Sequence, residues 1–114
     1  MSVKLSTRQV GDVTVVDVAG RITLGEGSSA LRDLLRELVG KGQKKILLNL
    51  GEVSYIDSSG IGELVSGFTT VTNNGGEMKL LNLNKRVKDL LQITKLYTVF
   101  DVHDEEAHAI RAFA

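Results

Sequence analysis

YIDSSGIG, residues 55–62, lies between two apolar segments of different periodicity. The run KILLNL at 45–50 precedes it and is typical of a buried strand. After it, apolar residues recur at helical spacing, at Ile61, Leu64, Val65, Phe68 and Val71. The stretch therefore places one aspartate, two serines and two glycines where a strand gives way to a helix. A helix start offers free backbone N–H groups and a positive dipole end, which favour a carboxylate, a ligand phosphate or a phosphate esterified to the chain.

Strand and helix patterns alternate on both sides of this stretch. Strands are predicted at about 3–10, 13–18, 46–50, 78–83 and 97–102. Helices are predicted at 28–39, from the central stretch to about residue 72, in a short segment carrying Val87, Leu90 and Leu91, and from 104–106 onward. Ser28 or Ser29 is expected to cap the first helix, and Asn84 the third. In the last helix we expect Ala107, Ile110 and Phe113 to face the core.

This order predicts an α/β fold with a mixed, mostly parallel sheet, an N-terminal β-hairpin and about four helices. The turn at Gly11-Asp12 joins the first two strands as the hairpin, and the later alternation implies βαβ crossovers. Residues 46–50 are apolar almost without alternation, which is typical of a strand covered on both faces. We therefore expect the third strand near the middle of the sheet.

Length and composition favour a single soluble domain spanning residues 1–114. Acids and bases balance at 14 each, which argues against nucleic acid or an anionic membrane as the main partner. Cysteine is absent, so the sequence offers no disulfide and no thiolate metal site. Residues 1–10 lack the apolar core of a signal peptide, and no apolar run approaches the roughly 20 residues of a membrane span. The expected location is the cytoplasm.

The residues do not match the common catalytic patterns. Neither serine has the two flanking glycines of a nucleophile elbow, because Ile56 stands two before Ser58 and Ile61 two after Ser59. Both histidines, His103 and His108, lie in an acidic C-terminal segment and are predicted to be surface residues. Residues 20–27 are rich in glycine but lack the Gly-Lys-Ser/Thr ending of a P-loop. We therefore predict a protein that is not an enzyme and has no metal site and no cofactor.

Two interpretations of the central stretch remain open on the residues alone. Aspartate and serine are favoured N-caps, which would explain Asp57-Ser58-Ser59 without any further function. The glycines, Gly60 and Gly62, weaken a first helical turn by about 1 kcal/mol each and clear side chains from the surface around the serines. An exposed helix start of this kind would suit a docking partner or a modifying enzyme.

The chain resembles a STAS domain, and more closely a stand-alone bacterial anti-sigma factor antagonist. The segments that carry the resemblance are ILLNL at 46–50, VSYIDSSGIG at 53–62, GGEM at 75–78 and residues 87–100. The resemblance covers nearly the whole chain and implies a STAS-like fold. It also implies that an anti-sigma factor, itself a serine kinase, phosphorylates Ser58. The unphosphorylated antagonist would bind that kinase and free a sigma factor for transcription, and a phosphoserine phosphatase would reset it. ATP and Mg²⁺ would belong to the kinase.

A partner-binding surface is expected where the loop at 21–27 meets the start of the second helix, since both follow strands and precede helices. The predicted contact residues are Arg21, Thr23, Gly25, Glu26, Asp57, Ser58, Ser59, Gly60 and Ile61. The choice of Ser58 over Ser59 comes from the resemblance and not from the physics of two adjacent hydroxyls. A Gly25→Trp change is expected to weaken partner binding with little loss of stability.

One departure from the family pattern concerns the same loop. Many members carry a Leu-Asp pair soon after the second strand, whereas this chain has Ile22-Thr23-Leu24-Gly25. The partner's identity is therefore open. The alternative function is a non-switching STAS subunit of a larger complex, such as a lipid-transport or stress-sensing assembly.

Overall fold

The protein forms a five-stranded sheet with helices on both faces. The computed structural model describes residues 3–113. In chain order the elements are β1 (Val3–Val10), β2 (Val13–Ile22), α1 (Glu26–Gly40), β3 (Lys45–Ile56), α2 (Ser58–Asn73), β4 (Glu77–Leu81), α3 (Lys85–Ile93), a 3₁₀ helix (Leu96–Thr98), β5 (Val102–His103) and α4 (Glu106–Ala112). The strands are ordered β1-β2-β3-β4-β5 across the sheet. Strand β1 is antiparallel to β2, and the remaining three pairs, β2–β3, β3–β4 and β4–β5, are parallel. The predicted fold class is confirmed.

Strand β3 lies at the centre of the sheet, as its continuous apolar run predicted. Ile46, Leu48 and Leu50 belong to the large core that also contains the apolar faces of α1, α2 and α3. Leu47 points the other way, into a smaller core beneath α4 with Ala109 and Phe113. Both faces of β3 are therefore buried, and its end is fixed where the central stretch begins.

The strand predicted at 97–102 is wrong over most of its length. Leu96–Thr98 forms a 3₁₀ helix, and only Val102–His103 pairs with β4. Half-buried Leu96 and buried Phe100 have the spacing of one helical turn, and both pack on the large core. The Phe100 ring meets Phe68 edge to face, with 5.5 Å between ring centroids. Tertiary packing has thus overridden the β propensity of these residues.

The start of α1 and one residue of α4 also differ from the prediction. Helix α1 begins at Glu26 with Gly25 as N-cap, and Ser28 lies inside the helix with its side chain buried. The main chain at Gly25 has φ 97° and ψ −124°, a conformation that is almost restricted to glycine and that lets the helix begin directly after the turn. Helix α4 begins at Glu106, within the predicted 104–106. Ala109 in this helix and Phe113 directly after it are buried and Ile110 is half-buried, whereas Ala107, which was predicted to face the core, is exposed.

Candidate functional site

Asp57 connects the start of α2 to the loop between β2 and α1. As N-cap of α2 it accepts a hydrogen bond on Oδ1 from the Gly60 backbone N–H, at 2.9 Å. Its Oδ2 accepts a second from the Leu24 backbone N–H, at 3.1 Å. Its own N–H donates to the Ile22 carbonyl at 3.3 Å. The predicted N-cap is confirmed, and the same carboxylate also positions the loop.

Backbone hydrogen bonds favour the ionised form of this carboxylate. The Gly60 N–H lowers the pKa of Asp57 most; burial opposes this shift, and the Leu24 and Ser59 N–H groups lower the pKa further. The anion-favouring position at the helix start is therefore occupied by a carboxylate of the chain itself.

The two serines differ in exposure. Ser58 is the first residue of α2 and is exposed, whereas Ser59 is half-buried. Neither hydroxyl has a hydrogen bond to another group within residues 3–113. A modifying enzyme could reach the Ser58 hydroxyl without first breaking an interaction of the folded chain.

The loop contributes mostly exposed residues beside this helix start. Arg21, Gly25 and Glu26 are exposed, and Thr23 is half-buried. Leu24, which sequence reasoning did not select, has 80% of its surface exposed. The sequence signal that could have selected Leu24 is a large aliphatic residue next to a glycine at the end of a strand. Asp57 brings the loop and the Ser58 helix start together.

Gly60 and Ile61 lie beneath this surface. Ile61 is 4% exposed and belongs to the large core. A Cβ on Gly60 would overlap the Ile22 carbonyl oxygen and stand 2.6 Å from Ile56 Cγ1. The expectation that both glycines clear the outer surface is therefore wrong for Gly60, where the helix start packs directly on β2 and β3. Gly62 is exposed, and a Cβ there would meet nothing within 4 Å.

The guanidinium groups of two arginines lie over the ring of Tyr55 at the end of β3. The Arg21 guanidinium carbon is 4.6 Å from the centre of the Tyr55 ring. The Arg86 guanidinium carbon is 4.4 Å from the same point. Both distances fit cation–π contacts. Tyr55 and Arg86 were not among the predicted site residues, and no sequence spacing joins Arg86 to this surface.

The histidines lie in a different part of the structure. His103 Nε2 is 2.9 Å from Asp101 Oδ2, which also accepts a hydrogen bond from Lys79 at 2.8 Å. His108 is exposed on α4. Among residues 3–113 no three His, Asp or Glu side chains are grouped to hold a metal ion. In that same range no helix is both long and apolar enough to cross a bilayer.

Comparison with known proteins gives one consistent family. The STAS domain model matches residues 4–109. The anti-sigma-B factor antagonist of Bacillus subtilis is 33% identical over 102 residues, which cover 90% of this chain and 92% of that protein. The anti-sigma F factor antagonist of Paenibacillus polymyxa is 25% identical over 111 residues, covering 96% and 94%.

Solved structures agree at the level of the fold. The phosphorylated form of the Bacillus cell fate determinant SpoIIAA superposes with a TM-score of 0.75 at 19% identity, covering 95% of this chain and 97% of that one. The relatives of nearly equal length carry the names of regulatory antagonists, which supports the prediction that the chain is not an enzyme. With its family model matched over residues 4–109, this chain belongs to the STAS domain family.

Proposed function

We propose that this protein is an anti-sigma factor antagonist switched by phosphorylation at Ser58. In the unphosphorylated state it binds an anti-sigma factor serine kinase and thereby releases a sigma factor. Phosphate on Ser58 ends that binding, and a phosphoserine phosphatase restores it. The observation that carries the proposal is the exposed, unbonded Ser58 hydroxyl at the first residue of α2, next to a loop that Asp57 holds in place.

Electrostatics at the helix start support a switch that acts on binding. A phosphate adds about −1.5 to −2 charges at pH 7. It would stand beside the ionised Asp57, which already accepts the Gly60 N–H. A docked partner would have to desolvate the phosphate next to this carboxylate, and a buried charge without a counter-charge costs several kcal/mol. We therefore expect phosphorylation to weaken partner binding by about a hundredfold or more.

Phosphate transfer tests the assignment of Ser58. The purified protein is incubated with Mg²⁺-ATP and each anti-sigma factor kinase of its own organism, and intact mass and phosphopeptide maps are recorded. One added phosphate is expected on the wild type, none on Ser58→Ala, and a reduced but clear signal on Ser59→Ala. Phosphate mapped to Ser59 would contradict the assignment. If no kinase transfers phosphate, and a partner binds the wild type and Ser58→Asp equally tightly, the result would instead favour the non-switching STAS subunit.

The loop is tested through Leu24. The expectation for Gly25→Trp needs correction, because φ 97° at Gly25 would strain any side chain and lower stability as well as binding. Leu24→Ala avoids this difficulty, since the side chain is 80% exposed. We expect about tenfold weaker binding of the kinase, which is the loss typical of a side chain buried only in a complex. Ile93→Ala, at 75% exposure on α3, is the matched control. Equal effects of the two changes would remove the loop from the interface.

A further inference from the structure

Three side chains from three elements converge at the end of β3. Arg21 pairs with Tyr55 in the parallel register of β2 and β3, and Arg86 lies in the first turn of α3. The start of α3 is held against β3 because the Asn84 amide donates to the Val53 carbonyl at 2.6 Å. The result is a fixed group, here named the arginine–tyrosine cluster, composed of Arg21, Tyr55 and Arg86.

The charges of this cluster are not neutralised within the described chain. Neither Arg21 nor Arg86 forms an ion pair with a carboxylate in residues 3–113, and both are exposed. The neighbouring Lys85 differs, because it pairs with Asp89 at 2.8 Å. Since both guanidinium carbons lie within 5 Å of one ring centre, they are separated by no more than about 9 Å, which is inside the screening length of about 10 Å at 0.1 M salt. The two guanidinium groups are therefore close enough for one short acidic segment to contact both.

The Tyr55 ring also limits the freedom of both side chains. A guanidinium stacked on an aromatic face loses rotamer freedom before any ligand arrives, so less entropy is lost on binding. The planar fork of arginine matches a carboxylate with two parallel hydrogen bonds. The cluster is thus preorganised to bind carboxylates on the surface of a protein that contacts the ends of β2 and β3.

We propose that the arginine–tyrosine cluster is the docking surface for a carboxylate-bearing segment of the partner, with acidic side chains placed to meet Arg21 and Arg86. This proposal rests on the proposed function, because the partner is the anti-sigma factor kinase. The cluster is continuous with the candidate site, since Arg21 leads into the Leu24 loop and Tyr55 precedes Asp57 by two residues. A chain of zero net charge with two cations at this point suits a short acidic segment better than nucleic acid, which needs a broad basic surface.

The first experiment measures kinase binding to the unphosphorylated protein. Arg86→Gln is expected to weaken binding about tenfold, and Arg86→Glu further, because a charge-assisted hydrogen bond is lost and then replaced by repulsion. Arg111→Gln, an exposed arginine on α4, is the matched control and should bind as the wild type does. The tenfold difference should shrink in 0.5 M NaCl. Equal affinities of Arg86→Gln and Arg111→Gln at low salt would overturn the proposal.

The second experiment needs no kinase and therefore separates this proposal from the function on which it rests. Hexaglutamate peptide is titrated into the protein, and NMR shifts of the Tyr55 ring and the arginine Nε–H groups are followed. Saturable shifts at Arg21, Tyr55 and Arg86, lost in Tyr55→Leu and Arg86→Gln, are expected. Inorganic phosphate should bind more weakly than the peptide. Shifts that are equal at Arg111, or tighter binding of phosphate, would contradict an acidic docking segment. Peptide binding without any kinase binding would count against the proposed function alone.

Discussion

Asp57 connects two parts of the chain through one carboxylate. It caps α2 by accepting the Gly60 N–H and fixes the loop by accepting the Leu24 N–H. We expect Asp57→Ala to lower the free energy of unfolding by about 1–2 kcal/mol, since a cap is lost and the Leu24 N–H loses its partner. Urea denaturation measures the change. Asp33→Ala, an exposed aspartate on α1, is the control and should lie within about 0.5 kcal/mol of the wild type.

The pH dependence of this difference follows from the direction of the pKa shift. The pKa of Asp57 is lowered in the folded state, chiefly by the Gly60 N–H. Its contribution is therefore fully present above the unfolded pKa of about 3.9 and is lost as the pH falls through the folded value. The gap between wild type and Asp57→Ala should be constant from about pH 6 to 8 and should narrow below about pH 4. A gap that widened in acid would contradict this role.

Gly60 and Gly62 are two residues apart in α2 but differ in their surroundings. A Cβ on Gly60 would press on Ile56 Cγ1 and the Ile22 carbonyl, whereas one on Gly62 would meet open space. We expect Gly60→Ala to lower unfolding free energy by about 1–3 kcal/mol. Gly62→Ala should raise it by about 0.4–1 kcal/mol, because alanine reduces the entropy of the unfolded chain and favours helix. Thermal unfolding of both variants checks this, and a similar effect of the two changes would contradict the packing of Gly60.

Helix α4 depends on contacts made elsewhere in the chain. It spans seven residues, which is too short for stability in isolation. Arg8 on β1 donates to Glu106 at 2.6 Å, at the start of α4, and also to Asp17 on β2 at 2.7 Å. These hydrogen bonds lower the pKa values of both Asp17 and Glu106. Arg8 therefore attaches α4 to the hairpin, alongside the burial of Ala109 and Phe113.

We expect Arg8→Gln to loosen α4 without unfolding the domain. Hydrogen exchange of α4 amides should accelerate about threefold to tenfold, while global stability should fall by only about 0.5–1 kcal/mol, because exposed ion pairs are screened by water. Lys41→Gln is the control, since it removes an exposed ion pair with Glu37 at 2.9 Å within α1. If α4 exchange were unchanged in Arg8→Gln, apolar contacts alone would hold the helix.

At the scale of the whole molecule, the proposed phosphorylation should leave the fold intact. Ser58 is exposed and lies outside both cores, so a phosphate displaces no buried side chain. The helix dipole favours the new charge by about 0.3–1 kcal/mol, and repulsion from Asp57 is of similar size after screening. We expect the melting temperature of the phosphorylated protein to change by only a few degrees.

Paired measurements on one sample check this whole-molecule prediction. Calorimetry gives the melting temperature, and titration against the kinase gives the affinity, for the phosphorylated protein and for Ser58→Asp. Affinity should collapse for the former and fall less for the latter, which carries one added charge. Ser66→Asp, an exposed serine further along α2, controls for charge alone. A large fall in melting temperature would mean that the switch acts by unfolding.

The sequence by itself determined most of the architecture, because local patterns specify it. The apolar run at 46–50 predicted a central strand covered on both faces, and Ile46 and Leu47 do enter different cores. Side-chain chemistry likewise predicted the caps at Asp57 and Asn84, since both residue types bond the backbone three residues on. These features depend on neighbours close in the chain, and a sequence displays such neighbours directly.

Contacts between distant segments were decided only by the tertiary structure. The hydrogen bond from Leu24 to Asp57, the packing of Gly60 against Ile22, and the stacking of Arg86 on Tyr55 each join residues about 30 or more apart in the chain. The edge-to-face contact between Phe68 and Phe100 also joins distant parts of the chain. Such contacts arise from how whole elements pack, and the free energy of that packing outweighs the weak local preferences from which a sequence is interpreted.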